Sequence, residues 1–330
     1  MQQSTLKKLS EVLGISISTV SRALKDHPDI SDNTKTRVKE LATALEYEPN
    51  NYAVQLRTRQ SNVLGIMVPS IDNFFYDSFI AAVEEDARLH GYSVLIMQSR
   101  DKVQVETSNL HLFRKNMVMG LFASVSIETD DLTPFRKLEE MKIPVVFFDR
   151  VPTEDGYHKV CLADAEAARI AAEAIIEKKK KKVLALFGHP HLSITMIRCA
   201  SLQDTFARLA PKTKLTIAYP EGIAESKKVA LEALKDKQRP DTIFCMGDLI
   251  LIGVMYAVHK LKLRVPEDIS IIGISNGLIP TMYDPKITYV ETSGFKLGKL
   301  AFTQMLTSLR NDPAPSEVYL ESPLVEGGSL

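Results

Sequence analysis

Four polar side chains fall within five residues of one another: Ser18, Thr19, Ser21 and Arg22, preceded by Ser16 and Ile17. An arginine fork bonds a guanine edge bidentately, and hydroxyls bond phosphates or bases. The chemistry open to such a set is the reading of duplex DNA, provided one exposed helix face carries it into the major groove. A small structural hairpin with incidental hydroxyls is the alternative. Other reactive groupings are sparse. Cys161, Cys199 and Cys245 form no CxxC pair or zinc-type cluster and read as buried thiols in a reducing compartment. No G-x-G-x-x-G or G-x-x-x-x-G-K-[ST] occurs, so nucleotide enzymes lose their usual phosphate loops. In the stretch Gly188-His189-Pro190-His191 the proline removes a backbone donor, and it reads as a connecting loop.

The elements that would position those residues follow from the pattern. Thr5 can cap a helix that starts near Leu6 and stops at Gly14. Ser16 can cap a second helix through Leu24, ended by Pro28, and Ser31 a third over 33–45. A helix, a three-residue glycine turn and a second helix across it set the face with Ser18, Thr19, Ser21 and Arg22 outward. Pro49 introduces 50–56, helical in character but too short to fold alone. From Asn62 the texture changes to alternating strands and helices. Strands are expected at 63–69, 93–98, 120–125 and 144–149, then at 182–187, 215–219, 242–246 and 270–274. Helical patterns separate them, the first at 79–90 and later ones at 103–115, 165–178, 194–209, 224–235, 249–261 and 295–309. Two βαβ series predict two doubly wound parallel sheets, with ligands at the carboxyl ends of the strands in the cleft between them.

Composition agrees. The 330 residues are 45% apolar and 25% charged, enough for packed cores and against a disordered or disulfide-stapled chain. The 41 basic and 41 acidic side chains cancel. Within residues 1–60, nine basic groups face seven acidic ones, a slight excess on the DNA-reading side. The lysines at 178–182 sit where a helix ends and a strand begins; a nucleic-acid patch is the competing reading, and the tract reads as a solvated helix end. No apolar run approaches the roughly 18 residues of a membrane span, and no apolar signal core opens the chain, so a cytoplasmic protein without membrane contact is expected.

The order of residues goes further. Thr5-Leu6, Gly14-Ile15-Ser16, Thr19-Val20-Ser21-Arg22, Ser31-x-x-Thr34 and Tyr47-x-Pro49-Asn50 closely resemble the headpiece of the LacI/GalR family of bacterial transcription regulators. Leu64-Gly65-Ile66-x-Val68-Pro69, Phe75-Tyr76, Phe148-Asp149-Arg150, Arg198, Gly247-Asp248 and Val265-Pro266-x-Asp268-Ile269-Ser270 resemble its sensor. The resemblance implies an all-α helix–turn–helix headpiece (1–48), a hinge (49–61) and a periplasmic-binding-protein-like sensor (62–330). The sensor would have two subdomains, about 62–161 with 292–320 and 162–291 with 321–330. It implies a homodimeric, sequence-specific repressor that binds double-stranded operator DNA and answers to a small, carbohydrate-like effector, with no cofactor, metal or catalysis. DNA would meet Thr5, Leu6, Ser16, Ile17, Ser18, Thr19, Ser21, Arg22, Ser31, Thr34, Tyr47, Asn50, Ala53 and Leu56, the last wedged into the minor groove. The effector would meet Ser70, Phe75, Tyr76, Asp149, Arg198, Asp248, Ser275 and Asn276.

Departures from the family bear on the ligand. Gly247-Asp248 stands where Asn-Asp is frequent, Ser275-Asn276 replaces an Asp-Asp pair, and an arginine near residue 330 is missing. A polyol site uses carboxylates to accept from hydroxyls, an arginine to donate and an aromatic ring to stack. Asp149, Asp248, Arg198 and Phe75 can supply these, but one carboxylate fewer puts a standard hexose or pentose in doubt. Control by a protein corepressor or a non-sugar ligand stays open, and an α/β enzyme acting on sugars or nucleotides is the remote alternative.

Overall fold

Three helices, two of them with serine N-caps, build the first part of the described chain. The computed structural model describes residues 6–45, 47, 61–310 and 314–330, and the chain divides into two units, 1–61 and 62–330. Helix α1 (Leu6–Leu13) ends where Gly14 takes φ +66°, a left-handed turn that costs glycine no Cβ clash. Ser16 Oγ accepts from Thr19 N at 3.1 Å to start α2 (Ile17–Leu24). Ser31 Oγ accepts from Thr34 N at 3.4 Å to start α3 (Asp32–Ala44). Each cap satisfies a donor that a helix start leaves open. Helix α2 stops at Leu24, short of Pro28; the turn is made by Asp26 at φ +54°. Leu9, Val20, Ala23, Val38 and Ala42 are buried at the centre, so each helix contributes a stripe.

The second unit alternates strands and helices. In order they are β1 (Val63–Val68), α4 (Phe74–Leu89), β2 (Ser93–Gln98), α5 (Val103–Lys115), β3 (Gly120–Ala123), α6 (Thr133–Glu140), β4 (Val145–Phe148) and β5 (His158–Leu162). Then come α7 (Asp164–Glu177), β6 (Lys182–Leu186), α8 (Ser193–Leu209), β7 (Lys214–Ala218), α9 (Gly222–Lys235), β8 (Thr242–Cys245), α10 (Asp248–Lys260) and β9 (Ser270–Ser275). A 3-10 turn (Ile279–Met282), β10 (Thr288–Glu291), α11 (Gly294–Leu309), β11 (Glu317–Leu320) and β12 (Leu324–Val325) follow.

These strands form two six-stranded sheets, ordered β11-β5-β4-β3-β1-β2 and β12-β10-β9-β8-β6-β7. The strand pairs are parallel save β12, antiparallel on β10. The chain passes between the two lobes three times: after β5, after β10 and after β11. In the N-terminal lobe, successive strand residues feed opposite layers. Leu64, Ile66, Phe122, Val146 and Phe148 pack under α4 and α11, while Met67, Leu121, Ala123, Val145 and Phe147 pack under α5 and α6. Helices α4 and α11 lie unusually close, because a Cβ at Gly294 would strike Phe75 O, and one at Gly298 would come within 2.8 Å of Phe79 O. The C-terminal lobe has one continuous core rich in Ile, Val and Ala.

Several elements differ from the sequence reading. Strands β5, β10, β11 and β12 and helix α6 were not expected; all are short, and β11 and β12 are sheet edges. Helix α4 starts at Phe74, five residues before the expected 79, because Asn73 Oδ1 accepts from Phe75 N at 2.9 Å and caps it. That cap places Phe75 and Tyr76 in the first helical turn, facing the carboxyl ends of the strands.

Candidate functional site

Two surfaces collect the residues singled out by sequence. The first is the face of α2 in the headpiece. Ile17, Ser18 and Arg22 are exposed there, Thr19 and Ser21 are half-buried, and Arg22 makes no ion pair among the described residues. Ser16 Oγ lies 2.8 Å from both Ser18 Oγ and Thr19 Oγ1, and Ser31 Oγ 2.9 Å from Thr34 Oγ1. Helices α2 and α3 thus each begin with a paired set of hydroxyls at a helix N-terminus, an environment suited to phosphate oxygens. Leu6 and Tyr47 take a different part, packing half-buried against the headpiece core, with Tyr47 N donating to Ala42 O at 2.8 Å. Thr5, Asn50, Ala53 and Leu56 lie outside the described residues, as does most of the proposed hinge.

The second is a cavity of about 140 Å³ between the lobes, at the carboxyl ends of the strands. Its lining includes seven of the eight effector residues expected from sequence: Phe75, Tyr76, Asp149, Arg198, Asp248, Ser275 and Asn276. Ser70 is not among them; its hydroxyl is turned onto Asp72. Asn73, Arg150 and Thr292 join the wall unannounced, and a groove of about 780 Å³ adjoins it, with Arg150, Asp248 and Met246 lining both.

The carboxylates in the wall already have protein partners. Tyr76 Oη donates to Asp149 Oδ2 at 2.6 Å and lies 3.1 Å from Ser124 Oγ. Asp149 sits at φ +58° just beyond β4 and is 9% exposed; burial raises its carboxyl above the usual range. Burial likewise drives the Tyr76 phenol upward. Asp248 opens α10, takes the Ser275 hydroxyl on Oδ1 and Asn276 N on Oδ2 at 3.2 Å, and is also raised by burial. Arg150 pairs with Asp101, yet its Nε is buried without a hydrogen-bond partner among the described residues.

Two of the seven are also held by protein groups. Arg198 is one of them. It sits in the second turn of α8, 5% exposed, with Nε 2.7 Å and Nη2 2.6 Å from Asp164 Oδ1 and Nη1 2.9 Å from Met246 O. Two of its five N–H groups remain for other acceptors. Asp164 was missed because it lies 34 residues away and no spacing signal links the two. Asn276 is also committed elsewhere: Nδ2 donates to Phe74 O at 3.1 Å, while Oδ1 accepts from Ser78 Oγ at 3.1 Å and Gly294 N at 2.8 Å. Its side chain ties the C-terminal lobe to the N-terminal one. Residues 273–277 also have the G-x-S-x-G spacing of a serine-hydrolase elbow. Ser275 is 2% exposed there and is hydrogen-bonded to Asp248 and Gly277 N, with no histidine on its hydroxyl among the described residues.

Comparison with known proteins decides the family. Residues 5–50 match the model of bacterial regulatory proteins of the lacI family, and residues 172–330 that of the periplasmic binding protein-like domain. The chain belongs to the lacI family. It is 26% identical over 324 residues to the ribose operon repressor of Bacillus subtilis (strain 168), covering 97% of this chain and 96% of that protein. It is 23% identical to the HTH-type transcriptional repressor PurR of Vibrio atlanticus (strain LGP32), covering 96% and 95%. The Lac repressor dimer bound to operator and the anti-inducer ONPF shares its fold with a TM-score of 0.89 at 21% identity, covering 99% of each chain. Membership in the lacI family sets the enzyme reading aside. Among the described residues no helix is long and apolar enough to cross a membrane, and no group of three or more His, Cys, Asp and Glu is placed to hold a metal ion.

Proposed function

We propose that this lacI-family chain is a homodimeric repressor that binds operator DNA through residues 1–48 and a hinge at 49–61. A small polar ligand held between the sensor lobes would control it. The observation that carries the reading is the outward face of α2, where exposed Ile17, Ser18 and Arg22 stand clear of a core made from the opposite side of the same helix. The relatives named for a ribose operon and for PurR, and the Lac repressor held on operator as a dimer, support the DNA and dimer parts. Exposed Ile223, Tyr256, Leu278 and Met282 give the C-terminal lobe apolar surface for a second copy.

The wall supports a hydroxyl-rich ligand class. Asp149 and Asp248 accept from hydroxyls, the spare N–H groups of Arg198 and the partnerless Arg150 Nε donate, and Phe75 offers a ring edge or face. A cavity of about 140 Å³ is smaller than the roughly 300–1,000 Å³ of sites for drug-sized ligands. It suits a polyol of monosaccharide size and admits anything larger only by opening. Closure on such a ligand would favour one lobe arrangement by the difference in its affinity for the two.

The reading is tested by selecting bound duplexes from a random pool and measuring affinity for the enriched sequence. Arg22→Ala should lose about 1–3 kcal/mol on that sequence and discriminate less at one base pair of each half-site. Failure of any sequence to enrich would overturn the assignment.

A further inference from the structure

The sensor has a pole of unpaired positive charge far from the ligand cavity. Sheet strands β7, β6, β8 and β9 lie side by side, and the loops that enter them meet at the end opposite the cavity. The loop into β6 carries lysines at every position of 178–182, the loop into β7 brings Lys212 and Lys214, and the loop into β8 brings Lys235, Lys237 and Arg239. Their closeness is fixed by backbone pairing: Lys214 N donates to Lys181 O at 2.8 Å, and Asp241 N to Lys182 O at 2.9 Å. Lys182, Lys214 and Lys237 line one open groove of about 600 Å³ there.

In the loops into β6, β7 and β8, ten cations thus face three carboxylates, Glu177, Asp236 and Asp241, with Asp268 of the loop into β9 also near Arg239, in a chain whose charges cancel overall. Asp241 is further engaged with the backbone N–H groups of Lys181 and Lys182, at 2.8 and 3.1 Å. Eight of the ten cations are exposed, Lys180 and Arg239 being half-buried, and none makes an ion pair among the described residues. A helix C-terminus accounts for cations only within its last turn. It leaves unexplained Lys181, Lys182, Lys212 and Lys214, which stand at strand starts. Such crowding of like charge costs stability through self-repulsion, and a polyanion relieves it.

We propose that this pole binds the phosphate backbone of a second duplex, without sequence preference, while the headpiece holds the first. The three strand starts that carry these cations span two gaps of about 4.8 Å, roughly 10 Å in all. Over that length a duplex presents roughly six phosphate charges, at one per about 1.7 Å, a fair match to the excess of cations. The choice of DNA over another polyanion rests on the DNA-binding reading above.

The test uses the full chain and two random-sequence duplexes, one immobilised and one labelled. At about 50 mM salt the native protein should bridge them, and bridging should vanish by about 200 mM, as bound phosphates take up counterions again. The variant Lys179→Gln/Lys181→Gln/Lys214→Gln/Lys237→Gln should still load onto the immobilised duplex but capture little of the labelled one. Its salt dependence of capture should be shallower by roughly 0.9 in log–log slope for each phosphate it no longer neutralises. Undiminished bridging by the variant, or none by the native chain once loaded, overturns the proposal. So does native protein that captures poly-glutamate or anionic vesicles in preference to duplex. A native protein that never loads onto DNA would instead remove the headpiece reading, a separate result.

Discussion

The two lobes of the sensor repeat one sheet plan and face the same cavity, yet they settle their buried charges by different chemistry. The N-terminal lobe packs phenylalanines, with Phe79 stacked on Phe148 at 3.6 Å between ring centroids, and meets the cavity with a phenol donating to Asp149. The C-terminal lobe packs aliphatic side chains and meets it with the buried ion pair of Arg198 and Asp164. The carboxylates of each wall are therefore partnered within their own lobe before any ligand arrives, which lets the lobes separate without leaving a raw carboxylate. Asn276, from the C-terminal lobe, is the side chain that reaches across to Phe74 and Ser78. The lesson is that, besides the three chain crossings and the packing of Phe74 on the C-terminal core, the side-chain coupling between the halves consists of neutral hydrogen bonds, a link that a ligand's differential affinity can outweigh.

The contrast is broken most severely at the ion pair. Arg198→Met leaves Asp164 buried without its cation and should destabilise the sensor by about 3–5 kcal/mol in urea unfolding. Adding Asp164→Leu should restore much of the loss, since an apolar pair of similar volume avoids the desolvation cost. Unequal behaviour of the two carboxylates sharpens it next. Burial lifts both Asp149 and Asp248 above the ordinary 3.8, so the folded chain holds those protons more readily than the unfolded one. Their contribution is greatest in acid and declines as pH rises from 3.8 through the raised values. The Tyr76 hydrogen bond opposes the rise at Asp149. Tyr76→Phe should cost about 1–3 kcal/mol at neutral pH and steepen that decline, whereas Ser275→Ala should act on Asp248 alone. The smallest effect belongs to the bridge. Asn276→Ala should cost about 1 kcal/mol but enlarge the ligand-free radius of gyration in solution scattering; an unchanged radius would mean the tie does not hold the lobes.

Local signals made the headpiece legible. Gly14, Ser16 and Ser31 act within a few residues of themselves, and the structure uses all three as read. The central strands were legible too, because burial on both faces writes them as apolar runs. The short β10, β11 and β12 were not, since each holds two to four residues and takes its meaning from a neighbour distant in sequence. Seven effector candidates do converge on the cavity, but what Arg198 and Asn276 are bonded to depends on Asp164, Phe74, Ser78 and Gly294. Those partners lie between 18 and 202 residues away, beyond the reach of any spacing rule.

The late strands also set the order in which a newborn chain acquires its parts. Three helices complete the headpiece core by residue 45, but the two sheets receive their last strands at Glu317–Leu320 and Leu324–Val325. Ribosomes add roughly 5–20 residues each second and domains fold as they emerge, so roughly 15–60 s of synthesis separates the two events. During that interval each nascent polypeptide has a folded helix–turn–helix and no finished sensor. A premature stop codon anywhere between those positions would make that interval permanent.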